Sequence, residues 1–360
     1  MKKEDFIFTG NYEIPLEGCY RWESPSNIAL VKYWGKSVDQ IPKNSSISFT
    51  LKNCLSKTEL EFVKKKSKSQ LFDFDIFFDD MLKLDFKPKV HVFFERIKKY
   101  CPYILEYKFT INTTNTFPHS SGIASSASGV SALALCIMSI EKSIDPTISE
   151  DFFYKKASFL ARLGSGSACR SVKGSVNFWG AHKSFKSSSD LFSIDFPFKV
   201  NDVFKSYHDA ILLVDKGVKT VSSSAGHELM NDHLFGEKRF QAAQNNIEKL
   251  SIILKNGNLD DFVKLVENEA LMLHGLMMTS DPSYILIKPK TLQIIEAIRE
   301  FRSITNIPVC FTLDAGANVH VLFPDKNSEE VYDFIDNNLK IYCENNSYLK
   351  DCVGYGAKQL

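Results

Sequence analysis

The sequence predicts an α+β protein of two domains, and three observations carry that expectation. At 360 residues the chain is long enough for two domains of ordinary size. Its strand-like and helix-like segments do not alternate in the regular way of a doubly wound sheet. A polar stretch over residues 183–195, rich in serine and lysine, separates a mixed first half from a second half in which helical periodicity dominates. The boundary is placed close to residue 200, giving domains 1–200 and 201–360.

The clearest helix of the first half runs from about Gly122 through Lys142, where small residues give way to an apolar run from Val130 to Met138. The next is expected to start at Ser149, an N-cap followed by Glu150 and Asp151, and to stop at Gly164. A small-residue loop, Ser165 to Arg170, follows it. Beyond the boundary, Asp209–Val214 reads as a buried strand, and helices are predicted over 237–254 and 259–278. Strands over 309–313 and 319–323 flank the turn Asp314-Ala-Gly-Ala-Asn318. The lysine-rich stretch 64–68 reads as a solvated hairpin or loop.

Composition excludes several classes of function. A formal net charge of +1 provides no overall field toward nucleic acid or an anionic membrane. No apolar run approaches the roughly 20 residues of a membrane span. The eight cysteines form no CxxC pair, so reduced thiols are expected rather than a disulfide frame or a zinc site. His227-Glu228 lacks the second histidine of a zinc-protease motif, because position 231 is Asn. The start of the chain carries no apolar stretch with a cleavage site, and no export is expected.

Four segments carry candidate chemistry. Pro118-His-Ser-Ser-Gly122-Ile-Ala-Ser125-Ser126-Ala127 places a turn and hydroxyls at the mouth of a helix, where unpaired N–H groups favour an anion. It is neither a Walker A loop nor a dinucleotide fingerprint, and a serine-rich N-cap would look the same. Gly164-Ser165-Gly166-Ser167-Ala168-Cys169-Arg170 lets backbone approach a ligand beside an arginine suited to carboxylate or phosphate, or is an interhelical turn with a surface charge. In an extended stretch Lys32, Trp34 and Lys36 would share one face, with Tyr33 on the other. Asp314, directly after an apolar strand, is placed where sites are often built, or caps an Asx-turn.

Taken in order, these segments resemble the signature set of one family. Pro118 to Ala127 resembles the phosphate-binding motif of the GHMP kinase superfamily. The segments Asn27 to Lys36, Asn44-Ser-Ser-Ile-Ser48, Gly164 to Arg170 and Asp314 to Asn318 are similar to those of the diphosphomevalonate decarboxylases. The resemblance implies a ribosomal S5 domain 2-like N-terminal domain, a ferredoxin-like C-terminal domain and a site in the cleft between them. It implies ATP with Mg²⁺, mevalonate 5-diphosphate as substrate, a cytoplasmic enzyme and a homodimer. By this likeness Asp314, Lys32 and Arg170 are the catalytic set, with Arg170 on the substrate carboxylate. Tyr33, Lys36, Ser165, Ser167, Lys219 and Ser223 would contact substrate, and Gly122, Ser125 and Ser126 would lie at the ATP phosphates. No metal ligand is assigned. Two departures stand out: His119-Ser120-Ser121 where Thr-Ala-Ala is frequent, and Ala317 where proline is usual. The alternatives are a phosphomevalonate decarboxylase or mevalonate-type kinase of the same superfamily, and a catalytically silent nucleotide-binding scaffold.

Overall fold

A computed structural model describes residues 1–10, 13–67, 69–118, 123, 125–215 and 221–360. Gly122 and Lys219, and the departures at His119, Ser120 and Ser121, therefore lie outside the described residues.

Two sheets organise the chain. The first is built on β1 (Glu17–Ala29) and β2 (Ser46–Lys64), which pair antiparallel with an irregularity between Pro25 and Asn27. On the far side of β2 lie β3 (Asp73–Phe78), β4 (Met81–Leu82) and β5 (Tyr107–Asn115), while β6 (Val176–Trp179) and β7 (Ile194–Asp195) extend it near residues 46–49. Beyond Asn53, β2 largely alternates between buried and more exposed positions, the period of a sheet covered on one face. The second sheet holds β8 (His208–Leu212), β9 (Cys310–Thr312), β10 (Val319–Phe323) and β11 (Tyr348–Cys352), in the order β11-β8-β10-β9. At its end the chain crosses back: β12 (Lys358–Gln359) pairs with β1 in the first sheet.

Helices cover the sheets. In the first half these are α1 (Lys87–Ile97), α2 (Ser125–Ile144) and α3 (Glu150–Gly164). Contrary to the expectation that no apolar run approaches the length of a membrane span, helix α2 is long and apolar enough to cross one, but 78% of its apolar window is buried inside the protein. It lies between sheet and α3, where Leu133, Leu135, Ile137 and Ile140 each contribute about 1.5–3 kcal/mol by leaving water. Ser149 caps α3 by accepting from the Phe152 N–H, as its position before two acidic residues predicts. The second half contains α4 (Ser223–Glu228), α5 (Gly236–Asn256), α6 (Leu259–Met278), α7 (Pro289–Thr305) and α8 (Ser328–Phe334).

The halves share a core. Ile28, Val31 and Phe49 of the first pack in one cluster with Ile211, Leu250 and Phe262 of the second. A buried carboxylate reinforces the joint: Asp351 of β11 accepts from the backbone N–H groups of Lys52, Asn53 and Cys54 at 2.8, 2.9 and 2.8 Å. Three backbone donors on one carboxylate make a strong, directional contact between the two halves.

Candidate active site

Strand β1 ends at Ala29, and the next residues turn inward. Lys32 is 2% exposed and Trp34 is buried, while Tyr33 is half-buried with its hydroxyl shielded from solvent. The expected extended alternation is not kept: Lys32, Tyr33, Trp34 and Lys36 all line one cavity. Just beyond them Gly35, with a φ of +98°, bends the chain in a way that L side chains resist. Its N–H donates to Nδ1 of His227 at 2.9 Å, holding the bend.

Helix α3 stops at Gly164, and a 3₁₀ turn over Gly166–Ser171 follows the extended Ser165. Gly166 allows Tyr33 to close on the turn, because a Cβ there would lie 2.7 Å from the Tyr33 hydroxyl. Arg170 is no surface charge. It is 3% exposed, stands over the Trp179 ring at 5.6 Å and donates from Nε to Oδ1 of Asn27 at 3.2 Å. Asn27 also donates to Oγ of Ser171 at 2.8 Å, so β1 braces both the turn and its arginine.

Asp314 arrives from the opposite side, two residues beyond β9. Its backbone carbonyl accepts from the Gly316 N–H at 2.7 Å and lies 3.1 Å from Nε2 of His274. Its carboxylate Oδ1 meets Nζ of Lys32 at 3.0 Å, joining the two halves of the molecule. Lys32 is deeply buried while the Asp314 side chain is 30% exposed, so the carboxylate has access to a molecule in the cavity.

The cavity has a volume of about 360 Å³. Of the residues expected to act on substrate or nucleotide, it gathers Lys32, Tyr33, Lys36, Ser125, Ser126, Ser165, Ser167, Arg170, Ser223 and Asp314. Gly122 and Lys219 fall outside the described residues. Among the described residues, Lys32, Lys36 and Arg170 face a single lining carboxylate, Asp314, which makes the cavity cationic. Burial lowers the proton affinity of all three cations, offset for Lys32 by Asp314 and Glu269. Burial pushes the Tyr33 phenol well up, so it acts as a neutral hydroxyl. The Tyr33 hydroxyl and Nη1 of Arg170 are buried without partners among the described residues. Leaving such groups unmatched costs about 1–3 kcal/mol each, and ligand oxygens would remove that cost.

His227, in sequence no more than half of a metal motif, lines this cavity against the rings of Tyr33 and Trp34, with centroids at 4.4 and 4.5 Å. Burial, with Lys36 and Arg170 nearby, brings its pKa down to about 3. Because Nδ1 accepts from Gly35, the neutral ring carries its proton on Nε2. A second cavity, of about 320 Å³, shares Ser125 and Ser126 and is lined by the apolar Ile76, Phe78, Phe86 and Val90.

Residues 24–190 match the diphosphomevalonate decarboxylase-like N-terminal domain, and residues 210–356 match the mevalonate 5-diphosphate decarboxylase C-terminal domain. The chain belongs to the diphosphomevalonate decarboxylase family. The Schizosaccharomyces pombe diphosphomevalonate decarboxylase is 27% identical over 326 residues, which span 86% of this chain and 79% of that one. A solved structure of MDDEF in complex with MVAPP, AMPPCP and magnesium superposes with a TM-score of 0.81 at 26% identity, covering 96% of this chain and 99% of the other. The mevalonate diphosphate decarboxylase from Enterococcus faecalis gives 0.79 at 25% identity over the same shares. The two-domain GHMP-type fold expected from the sequence is thus the fold observed. Ala317, the departure from proline, is buried, and its carbonyl accepts from the Thr291 hydroxyl at 2.7 Å, which anchors the turn after Asp314 to α7.

Proposed function

We propose that this chain decarboxylates mevalonate 5-diphosphate in an ATP-dependent reaction, yielding isopentenyl diphosphate, CO₂, ADP and phosphate. The observation that carries the reading is the Lys32–Asp314 ion pair, set in a cationic cavity beside the buried guanidinium of Arg170. Family membership and the relative that binds MVAPP, AMPPCP and magnesium support it.

The residues present suit these ligands. Ser125 and Ser126 open the 20-residue helix α2, whose N-terminal N–H groups favour phosphate, and the apolar cavity they adjoin suits the base of ATP. Lys36, Ser223 and the Tyr33 hydroxyl supply donors for the substrate diphosphate. Asp314 is the single carboxylate among the described lining residues, so Mg²⁺ would be held chiefly by the phosphate oxygens of ATP rather than by a protein carboxylate cage. When bound, the cation offsets charge on the phosphoryl group in flight.

The side chains then divide the work. Asp314 orients the tertiary 3-hydroxyl and takes up its proton as the oxygen attacks the γ-phosphoryl group, while Lys32 fixes the carboxylate and offsets developing charge. The new phosphate departs with the C–O bonding pair. Electrons of the C–C bond to the carboxylate become the alkene as CO₂ leaves. Arg170, with Ser165 and Ser167 on the same turn, holds that carboxylate in line, a positioning role. His227 offers a neutral Nε2–H where a second positive charge would crowd Lys36. We place the enzyme in the cytoplasm as a homodimer, an assignment that rests on the family resemblance and that light scattering tests for the dimer.

The test of the reaction is a product assay. ATP is supplied with mevalonate, its 5-phosphate or its 5-diphosphate, and CO₂ and ADP are followed together. Equal CO₂ and ADP with the diphosphate is the expected result. ADP without CO₂ would assign a kinase, CO₂ with the monophosphate alone a phosphomevalonate decarboxylase, and neither product despite ATP binding a silent scaffold.

A further inference from the structure

Helix α6 carries two groups that reach the main chain on either side of the site. Glu269 is fully buried, and its Oε2 accepts from the Lys32 N–H at 2.9 Å. Arg239 of α5, itself 4% exposed, donates from Nη2 to the same carboxylate oxygen at 2.6 Å and to the Lys32 carbonyl at 3.2 Å. Asn246 donates to the other Glu269 oxygen at 2.6 Å, and Asn44 donates to the Lys32 carbonyl at 3.0 Å. Both polar groups of the lysine backbone are thereby held by buried side chains, chiefly from the opposite half of the molecule. Five residues further along α6, His274 brings Nε2 to 3.1 Å from the Asp314 carbonyl. A carbonyl can only accept, so the ring donates from Nε2.

We propose that α6 is the ruler that sets Lys32 against Asp314: Glu269, clamped by Arg239, fixes the lysine main chain, and His274 fixes the aspartate main chain. The separation of the two anchors along the helix axis is about 7.5 Å, at 1.5 Å per residue. A rigid helix between them holds that separation whatever fluctuations the surrounding loops undergo. None of the three residues lines the cavity, so they are positioning residues that act through the pair. This inference rests on the catalytic roles proposed above for Lys32 and Asp314.

The arrangement also has an electrostatic signature. The charged groups facing Lys32 are Asp314 from the turn after β9, Glu269 from α6, Arg239 from α5, Arg170 from the turn after α3, and the more remote buried Asp209 of β8. Burial lowers the lysine's proton affinity most, Asp314 and Glu269 raise it, and Arg170 lowers it. Removing the charge of Glu269 therefore moves the loss of the Lys32 proton to lower pH. That shift reports the Glu269 charge at Lys32, while the fall in kcat on the acid side of the limb, and its absence without Lys32, report the positioning.

The experiment is steady-state kinetics of the full chain with ATP and mevalonate 5-diphosphate, on Glu269→Gln, Arg239→Lys and His274→Gln. The expected result is a fall in kcat of about 10- to 100-fold in each, the range that a misplaced reacting group produces. Both KM values should stay within about threefold, because no ligand contact is lost. The alkaline limb of kcat should move to lower pH in Glu269→Gln and stay put in His274→Gln. In a Lys32→Ala background, Glu269→Gln should cause no further fall. Wild-type kcat in the folded variants, or losses that persist in full without Lys32, would overturn the inference. Should Glu269→Gln not fold, His274→Gln and Arg239→Lys decide by the same criteria. Silent Lys32→Ala and Asp314→Asn variants would instead overturn the proposed function, while damage there with silent anchors overturns only the ruler.

Discussion

Nζ of Lys32 lies 3.0 Å from Oδ1 of Asp314, although 282 residues separate them in the chain, and the lysine is buried while the carboxylate is partly open. The buried cation has a fixed partner, and the carboxylate has an accessible side toward the cavity. This one contact closes the site across the two halves of the molecule and exposes it to several tests.

The first concerns pH. Burial holds the proton affinity of Lys32 below that of an ordinary lysine. If its charge is needed, activity is full below its folded pKa and is lost as pH rises through it. The alkaline limb of kcat should therefore fall at lower pH than a solvated lysine would give. A limb set by Lys32 should also vanish in Lys32→Arg, whose guanidinium stays charged, whatever activity that variant retains.

Arg170→Lys keeps a positive charge but loses the planar fork, the contact of Nε with Asn27 and the stacking on Trp179. Its kcat/KM should fall by about 10²-fold or more, equivalent to at least about 2.7 kcal/mol of transition-state stabilisation. Kinetics indistinguishable from wild type would remove Arg170 from the substrate carboxylate.

Gly166→Ala introduces a Cβ 2.7 Å from the Tyr33 hydroxyl. Either the ring or the turn must shift, and overpacking of this kind costs about 1–3 kcal/mol. Thermal denaturation should show the destabilisation, and KM for the substrate should rise as Tyr33 moves. An unchanged melting temperature with an unchanged KM would mean that the turn yields without cost.

His227 gives a stability test of opposite pH sense to the lysine limb. Its folded pKa of about 3 lies below the ordinary 6.5, so the unfolded chain binds its proton first as pH falls. The stability linked to this ring is complete above about pH 6.5 and declines as pH drops toward 3. Between pH 6.5 and 5 the loss is about 1.6 kcal/mol, because the slope reaches 1.36 kcal/mol per unit only below the unfolded pKa. Urea unfolding of wild type and His227→Gln at both pH values checks this, because the variant should lack that part of the acid slope.

Local signals made much of the fold legible. Ser149 before two acidic residues and Gly164 after an apolar run mark the ends of α3, because capping and chain termination are written within a few residues. Asp314 was legible as a carboxylate at a strand end. The convergence of Tyr33 with Lys32 on one cavity was not, since alternation in an extended stretch assigns Tyr33 to the other face. Glu269 and Arg239 left no local trace at all: on helix faces, charged residues read as solvated. Their significance arises from docking against a backbone 237 and 207 residues away. Nor could spacing distinguish a surface arginine at 170 from one buried over the Trp179 ring.

The most direct test of the account is the turnover of Asp314→Asn measured beside its binding of a non-hydrolysable ATP analogue and of mevalonate 5-diphosphate. The amide preserves the shape of the side chain but cannot take a proton from the hydroxyl. Calorimetric affinities within about threefold of wild type, with single-turnover CO₂ release slower by about 10³-fold or more, are the predicted result. Near wild-type CO₂ release from Asp314→Asn would contradict the role given to the Lys32–Asp314 pair.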